Sequence, residues 1–190
     1  MLNLMIIVGS TRPGRVGLPM AEWIRNLTVQ HGGFESIDFA DLAEIDLPFM
    51  DEPHHPRLQR YTHQHTRDWS ARVARADAFV LVTPEYNYGM PAPLKNAIDY
   101  LHHEWAYKPV GFVSYGGVAA GTRAVQMTKQ VVTTLRMFAL FEAVYVPFVH
   151  QLIGPDGEVQ PNEVMESAGV AMLDELARVA EALRPLRAER

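Results

Sequence analysis

Apolar runs of strand length alternate with longer amphipathic stretches along the chain. Candidate strands run from Leu2 to Val8, Glu35 to Phe39, Ala78 to Val82, Val110 to Ser114 and Ala143 to Val146. Four of these are short apolar or alternating runs bounded by turn residues, the pattern of strands covered on both faces. Between them the spacing predicts helices over Leu18 to Gln30, about Leu58 to Ala76, Ala92 to Leu101 and Thr122 to Phe138, with a terminal helix from Asn162 to about Leu183. Repeated β-α alternation implies an α/β protein with a parallel sheet, right-handed crossovers, helices on both faces and ligands at the carboxyl ends of the strands. No repeat or linker interrupts the pattern, so a single domain over residues 1–190 is expected. The least regular segment, Leu47 to Pro56, is rich in proline and histidine and reads as an exposed loop.

Composition narrows the chemistry. A net charge of -5 argues against a nucleic-acid face, which needs a basic patch to neutralise phosphates. The opening MLNLMIIVGS has no basic leader and is already broken by Gly9, so it reads as a first strand rather than a signal peptide or membrane span, and a cytoplasmic location is expected. The sequence has no cysteine, hence no disulfide, no thiolate nucleophile and no cysteine-ligated metal. Redox chemistry would belong to a bound cofactor. His54, His55, His63, His65, His102 and His103 fall as neighbours or at i, i+2, which points helical ligands to different faces, so they are read as exposed polar residues and no metal site is expected.

The stretch VGSTRPGRVG, residues 8–17, joins the first strand to the first helix. Backbone N–H groups at a helix start are unpaired and carry partial positive charge, which attracts an anion. Gly14 and Gly17 let the backbone come close, Ser10 and Thr11 offer hydroxyls, and Arg12 or Arg15 can add a forked contact to phosphate. A Walker A loop would need lysine and then a hydroxyl residue after its second glycine, whereas Arg15 and Val16 follow Gly14. Gly9, Gly14 and Gly17 are also not spaced as a dinucleotide fingerprint, although Asp38 could imitate its acidic partner. A single terminal phosphate fits what remains. VTPEYNYGMPAPLKNAIDYL, residues 82–101, follows the third strand and offers the rings of Tyr86 and Tyr88 either to a flat ligand or to a subunit contact. SYGGVAAGTRA, residues 114–124, ends the fourth strand with backbone exposed at Gly116 and Gly117.

These three segments resemble, in order and spacing, the cofactor loops of NADPH-dependent FMN reductases, with PEYN the most specific element. The resemblance covers nearly the whole chain, including DLAEIDLPFMDE at 41–52. It implies a flavodoxin-like, doubly wound, five-stranded parallel sheet of order 2-1-3-4-5. It further implies that Ser10, Arg12 and the backbone of Val16 and Gly17 hold the FMN phosphate. Pro84, Glu85, Tyr86 and Asn87 would line the ribityl chain and isoalloxazine, and Ser114, Gly116 and Gly117 would close the ring's other edge. Arg15 and Gly17 stand where many relatives have small polar residues.

The activity implied is ping-pong hydride transfer from NADPH or NADH through FMN to a flavin, quinone, azo compound or metal oxyanion, with no essential acid–base side chain. The alternatives are a flavodoxin-like electron carrier that does not itself oxidise pyridine nucleotide, and a flavin-free sensor. A homodimer or homotetramer with flavin sites at the subunit boundary is also implied. Trp105 and Tyr107 would then cover a neighbour's flavin or pack a dimer contact, while Met127, Leu135, Met137 and Phe138 serve core or subunit packing.

Overall fold

The computed structural model describes residues 2–188. β1 (Asn3–Val8) leads into α1 (Gly17–His31), then β2 (Ser36–Asp41), a single helical turn α2 (Leu42–Ile45), α3 (Gln64–Arg75) and β3 (Ala78–Pro84). The chain continues through α4 (Ala92–Asp99), β4 (Pro109–Tyr115), α5 (Thr122–Thr134), the short strands β5 (Phe138–Ala139) and β6 (Val144–Val146), and α6 (Glu163–Ala188). Every strand pairing is parallel and the order is β2-β1-β3-β4-β5, as expected for a flavodoxin-like sheet.

Burial on both faces explains why the central strands are continuously apolar. Successive side chains of a strand point to opposite faces. Leu4, Ile6 and Val8 of β1, with Val80 and Val82 of β3, therefore join the core under α1 and α6. Met5 and Ile7, with Phe79 and Leu81, join the core under α3, α4 and α5. α1 stops at Gly32, whose left-handed backbone (φ 69°) lets its N–H bond the Thr28 carbonyl at 3.2 Å.

The structure departs from the sequence expectations where polar groups or turns intervene. The sheet has six strands rather than five, because the last edge is split. β5 pairs with Pro109 and Val110, and β6 pairs with Val113 to Tyr115. Leu140 still donates to the Val110 carbonyl at 3.0 Å before the chain leaves the ladder. α5 ends at Thr134, not Phe138, because Arg136 adopts φ 61° and turns the chain into β5. β2 runs on past Phe39 to Asp41, since Asp38 is neutralised by Arg72 and Asp41 by Arg15. The stretch expected as one helix from Leu58 is a 3-10 turn at Pro56–Leu58, a left-handed Gln59 (φ 50°), and then α3. The Glu52 carboxylate accepts from the N–H groups of Thr62 (2.7 Å) and His63 (2.9 Å) and holds that segment outside the helix.

Trp105 does not lie at a surface. It is 1% exposed, donates its indole N–H to the Ile98 carbonyl at 3.1 Å, and meets the rings of Trp69 and Phe79 at centroid distances of 6.2 and 5.0 Å. Among the described residues no helix is long and apolar enough to cross a membrane. Replacing Trp105 with Ala is expected to lower the unfolding free energy in urea by about 3–5 kcal/mol, equally at all protein concentrations. A loss that varied with concentration would contradict its place in the core.

Candidate mononucleotide site

The carboxyl ends of β1, β3 and β4 meet at one edge of the sheet, and the site is built from the turns that follow them. Gly9 donates to the Val82 carbonyl at 2.9 Å, which ties the first turn to β3. A tight bend then closes from the Arg15 N–H to the Arg12 carbonyl at 3.1 Å, with Gly14 at φ 68° inside it. Arg15 folds back across this bend. One guanidinium nitrogen donates to the Ser10 carbonyl at 3.0 Å, and another forms an ion pair with Asp41. The other Asp41 oxygen accepts from the Ala43 N–H at 3.0 Å and caps α2. Asp41 is 2% exposed and Arg15 14%, so the pair is a buried strut whose charges cancel.

What that strut leaves uncommitted is the anion-binding equipment. α1 starts at Gly17 with no side-chain cap and no acidic residue in its first turn. The N–H groups of Gly17 and Leu18 thus lack intrahelical partners, while Pro19 has no N–H and Met20 donates to the Val16 carbonyl at 3.2 Å. Arg12 is exposed and has no ion pair among the described residues.

The second wall is the turn after β3. Tyr86 and Gly89 exchange backbone hydrogen bonds of 2.9 Å across Asn87 (φ 51°) and Tyr88 (φ 68°), a tight reversal of the primed type that needs both central residues left-handed. A bulky residue there stores backbone strain. The Arg123 guanidinium braces it, 3.9 Å from the centre of the Tyr88 ring. Glu85 is committed to the same arginine. It pairs with the guanidinium and accepts from the Arg123 N–H at 3.1 Å, which caps α5 from outside. The Tyr86 and Ser10 hydroxyls share a hydrogen bond of 2.9 Å that joins this wall to the first turn.

The third wall follows β4. Ser114 is buried and donates its hydroxyl to the Ala120 carbonyl at 2.8 Å. Gly121 (φ 78°) closes the turn where a Cβ would stand 3.0 Å from the Tyr115 backbone nitrogen. The Gly116 and Gly117 carbonyls accept from Val149 and Phe148, both at 3.1 Å, and so recruit the 3-10 turn Val149–Leu152 as a fourth wall. Between these walls lies a cavity of about 430 Å³, within the size range of small-molecule sites.

Of the residues expected from sequence, Ser10, Arg12, Val16, Pro84, Glu85, Tyr86, Gly116 and Gly117 line this cavity. Gly17 and Ser114 lie buried behind it, and Asn87 sits exposed at the tip of its turn. The sequence reading missed Tyr115 and the segment from Phe148 to Gln151, which line it too. Tyr115 is 5% exposed, and its hydroxyl has no hydrogen-bond partner among the described residues. Burial, reinforced by the nearby Tyr86 phenol, pushes the Tyr115 phenol well above its ordinary pKa, so it stays protonated. A Cβ on Gly17 would stand 2.6 Å from this oxygen. A side chain at this position would therefore have to displace the phenol. Among the described residues no cluster of histidine and acidic side chains is arranged to hold a metal ion.

A parallel sheet of this order, with an uncapped helix start and a mononucleotide-sized cavity at its carboxyl edge, defines a flavodoxin-like mononucleotide-binding protein. The family described as NADPH-dependent FMN reductase matches residues 2–151. An NAD(P)H-dependent FMN reductase of Schizosaccharomyces pombe is 41% identical over 137 residues, 71% of this chain and 68% of that protein. An NAD(P)H-dependent FMN reductase of Saccharomyces cerevisiae is 38% identical over 148 residues, 72% of this chain and 76% of that protein. The solved structure of FerB, a flavoenzyme NAD(P)H:(acceptor) oxidoreductase from Paracoccus denitrificans, shares the fold, with a TM-score of 0.75 at 20% identity over 96% of this chain and 98% of that one. The chain belongs to the NADPH-dependent FMN reductase family, whose members are flavoenzymes that take electrons from NAD(P)H.

Arg12 and Arg15 separate under mutation. Arg12→Ala is expected to weaken FMN binding about tenfold or more while leaving the unfolding free energy within about 0.5 kcal/mol. Arg15→Ala is expected to lower that free energy by about 3 kcal/mol, because it strands a buried carboxylate. Flavin titration and urea denaturation measure the two effects, and equal stabilities of the two variants would contradict the assignment.

Proposed function

We propose that FMN binds in this cavity with its phosphate at the start of α1, and that the enzyme passes electrons from NADPH or NADH to a small acceptor: a flavin, quinone, azo compound or metal oxyanion. The observation that carries the reading is a set of donors suited to an anion and gathered at one place: the uncapped first turn of α1, the exposed Arg12 and the buried Tyr115 hydroxyl, which no described residue hydrogen-bonds. An ordinary solvated turn would have no reason to bury an unsatisfied phenol beside it. The donors fit a terminal phosphate in charge and kind.

When bound, FMN supplies the capacity to accept a hydride from pyridine nucleotide and to return the electrons to an acceptor. The protein binds and orients. Val16 and Gly17 present backbone N–H groups to the phosphate, Ser10 adds its hydroxyl and Arg12 its charge. Pro84, Glu85 and Tyr86 form one side of the cavity, held rigid by the tight reversal at Asn87 and Tyr88 and by the contacts of Glu85 and Tyr88 with Arg123. Gly116 and Gly117 form the other side without side chains to obstruct a flat ring, and Ser114 supports them from behind through Ala120. Asn87, at the exposed tip, is assigned to the rim of the ring rather than to the phosphate end.

In this reading the whole chain acts as one domain and works in the cytoplasm as a homodimer or homotetramer. Phe49 and Phe141, 82% and 90% exposed, are the kind of surface that a second copy would cover. The electron-carrier alternative is less favoured, since it lacks the pyridine-nucleotide oxidation that names the family.

The test is anaerobic titration of the FMN-loaded chain with NADPH while the flavin absorbance near 450 nm is followed. Stoichiometric bleaching, reversed by an added quinone, is the expected result. A band that persists in excess NADPH and NADH would return the chain to the carrier class.

A further inference from the structure

We propose that Tyr115 is the residue by which this chain distinguishes phosphorylated flavin from riboflavin, its phenol donating a neutral hydrogen bond to the phosphomonoester. The inference rests on the reading that FMN occupies the cavity, and it assigns a role to a side chain whose ring lies in the apolar core while its hydroxyl sits among polar groups at the cavity. The Tyr115 ring packs in the core formed with α1, among residues such as Val8, Met20 and Val113. For packing alone, Phe would serve that position better, because a buried hydroxyl without a partner is destabilising.

The surroundings show what kind of partner the hydroxyl lacks. It stands against Gly17, the first residue of α1, where the free N–H groups of the helix start converge. The Ser10 hydroxyl is engaged with Tyr86, and the Arg15 charge is cancelled by Asp41. Burial holds the phenol protonated, and although the Ser10 hydroxyl is near enough to act on it, that hydroxyl is already shared with Tyr86, so the strong acceptor the phenol lacks has to come from the cavity it lines. A phosphate oxygen beside the helix start is such an acceptor.

The terminal hydroxyl of riboflavin is neutral, shorter and a weaker acceptor, and it would leave the phenol unpaired. A site built to hydrogen-bond one group discriminates against the analogue that lacks it. Gly17 belongs to the same device. Any side chain there would collide with the phenol oxygen, so the glycine and the tyrosine are required together.

The test compares the flavin-free full chain with Tyr115→Phe for FMN and riboflavin, by quenching of flavin fluorescence, and for inorganic phosphate, by the rise in Tm that it causes. Loss of a hydrogen bond to a charged group is expected to weaken FMN binding about tenfold or more. Riboflavin affinity is expected to stay within about twofold, and the phosphate-induced rise in Tm to shrink. The Tm of the ligand-free variant should equal or exceed that of the parent, since an unsatisfied buried hydroxyl has been removed. If FMN and riboflavin weaken together, or neither changes, the phenol only shapes or fills the site and this inference is overturned while FMN binding by the parent still stands. If the parent chain itself fails to bind FMN, the functional reading falls and takes the inference with it.

Discussion

Arg15 turns back from the first β-to-α connection to meet Asp41 at the end of the edge strand, and each is so little exposed that neither can be withdrawn without stranding the other. Three features of the molecule depend on this contact. It holds the bend after β1 open through the Ser10 carbonyl, and it lets β2 run to its charged end. Because one cation is neutralised inside the protein, it also leaves the anion-attracting groups of the turn as the start of α1, Arg12 and the neighbouring hydroxyls. Arginine suits this role, since its planar fork can serve a carbonyl and a carboxylate at once.

In the remaining walls, side chains on neighbouring elements brace the turns that line the cavity. Glu85, which lines the cavity, also caps α5 and grips Arg123, which in turn supports the left-handed Tyr88. Ser114 likewise uses its hydroxyl to secure the glycine-containing turn that it precedes. These contacts fix the positions of the turns around the cavity, and placement is what a protein contributes when the chemistry belongs to a cofactor.

Legibility in the sequence tracked burial and locality. β1, β3 and β4 were readable because both faces are covered, which forces a continuous apolar run bounded by turn residues. The last two residues of β2 are not legible, since the charge of Asp41 is neutralised by an arginine distant in sequence. The split of β5 from β6 and the early end of α5 were invisible for a related reason: Leu135, Met137 and Phe138 keep an apolar pattern across a turn. The break before α3 depends on Glu52, whose carboxylate acts on residues ten and eleven positions away. At the site, turn residues with hydroxyl, amide or glycine character announced themselves. Tyr115 did not, because an aromatic residue ending an apolar strand looks like core until its hydroxyl is found without a partner. Trp105 failed in the opposite sense, since aromatic residues next to histidines suggest a surface and only the packing against Trp69 and Phe79 places it inside.

The two arginines of the first turn divide the work, Arg15 held by Asp41 and Arg12 exposed. A crystal structure of the chain with riboflavin 5′-phosphate is the most direct measurement of that division. The phosphate is predicted to lie within hydrogen-bonding distance of the Gly17 N–H and the Arg12 guanidinium, with Arg15 still joined to Asp41. A phosphate bound elsewhere, or one that draws Arg15 off Asp41 to reach it, would contradict the account.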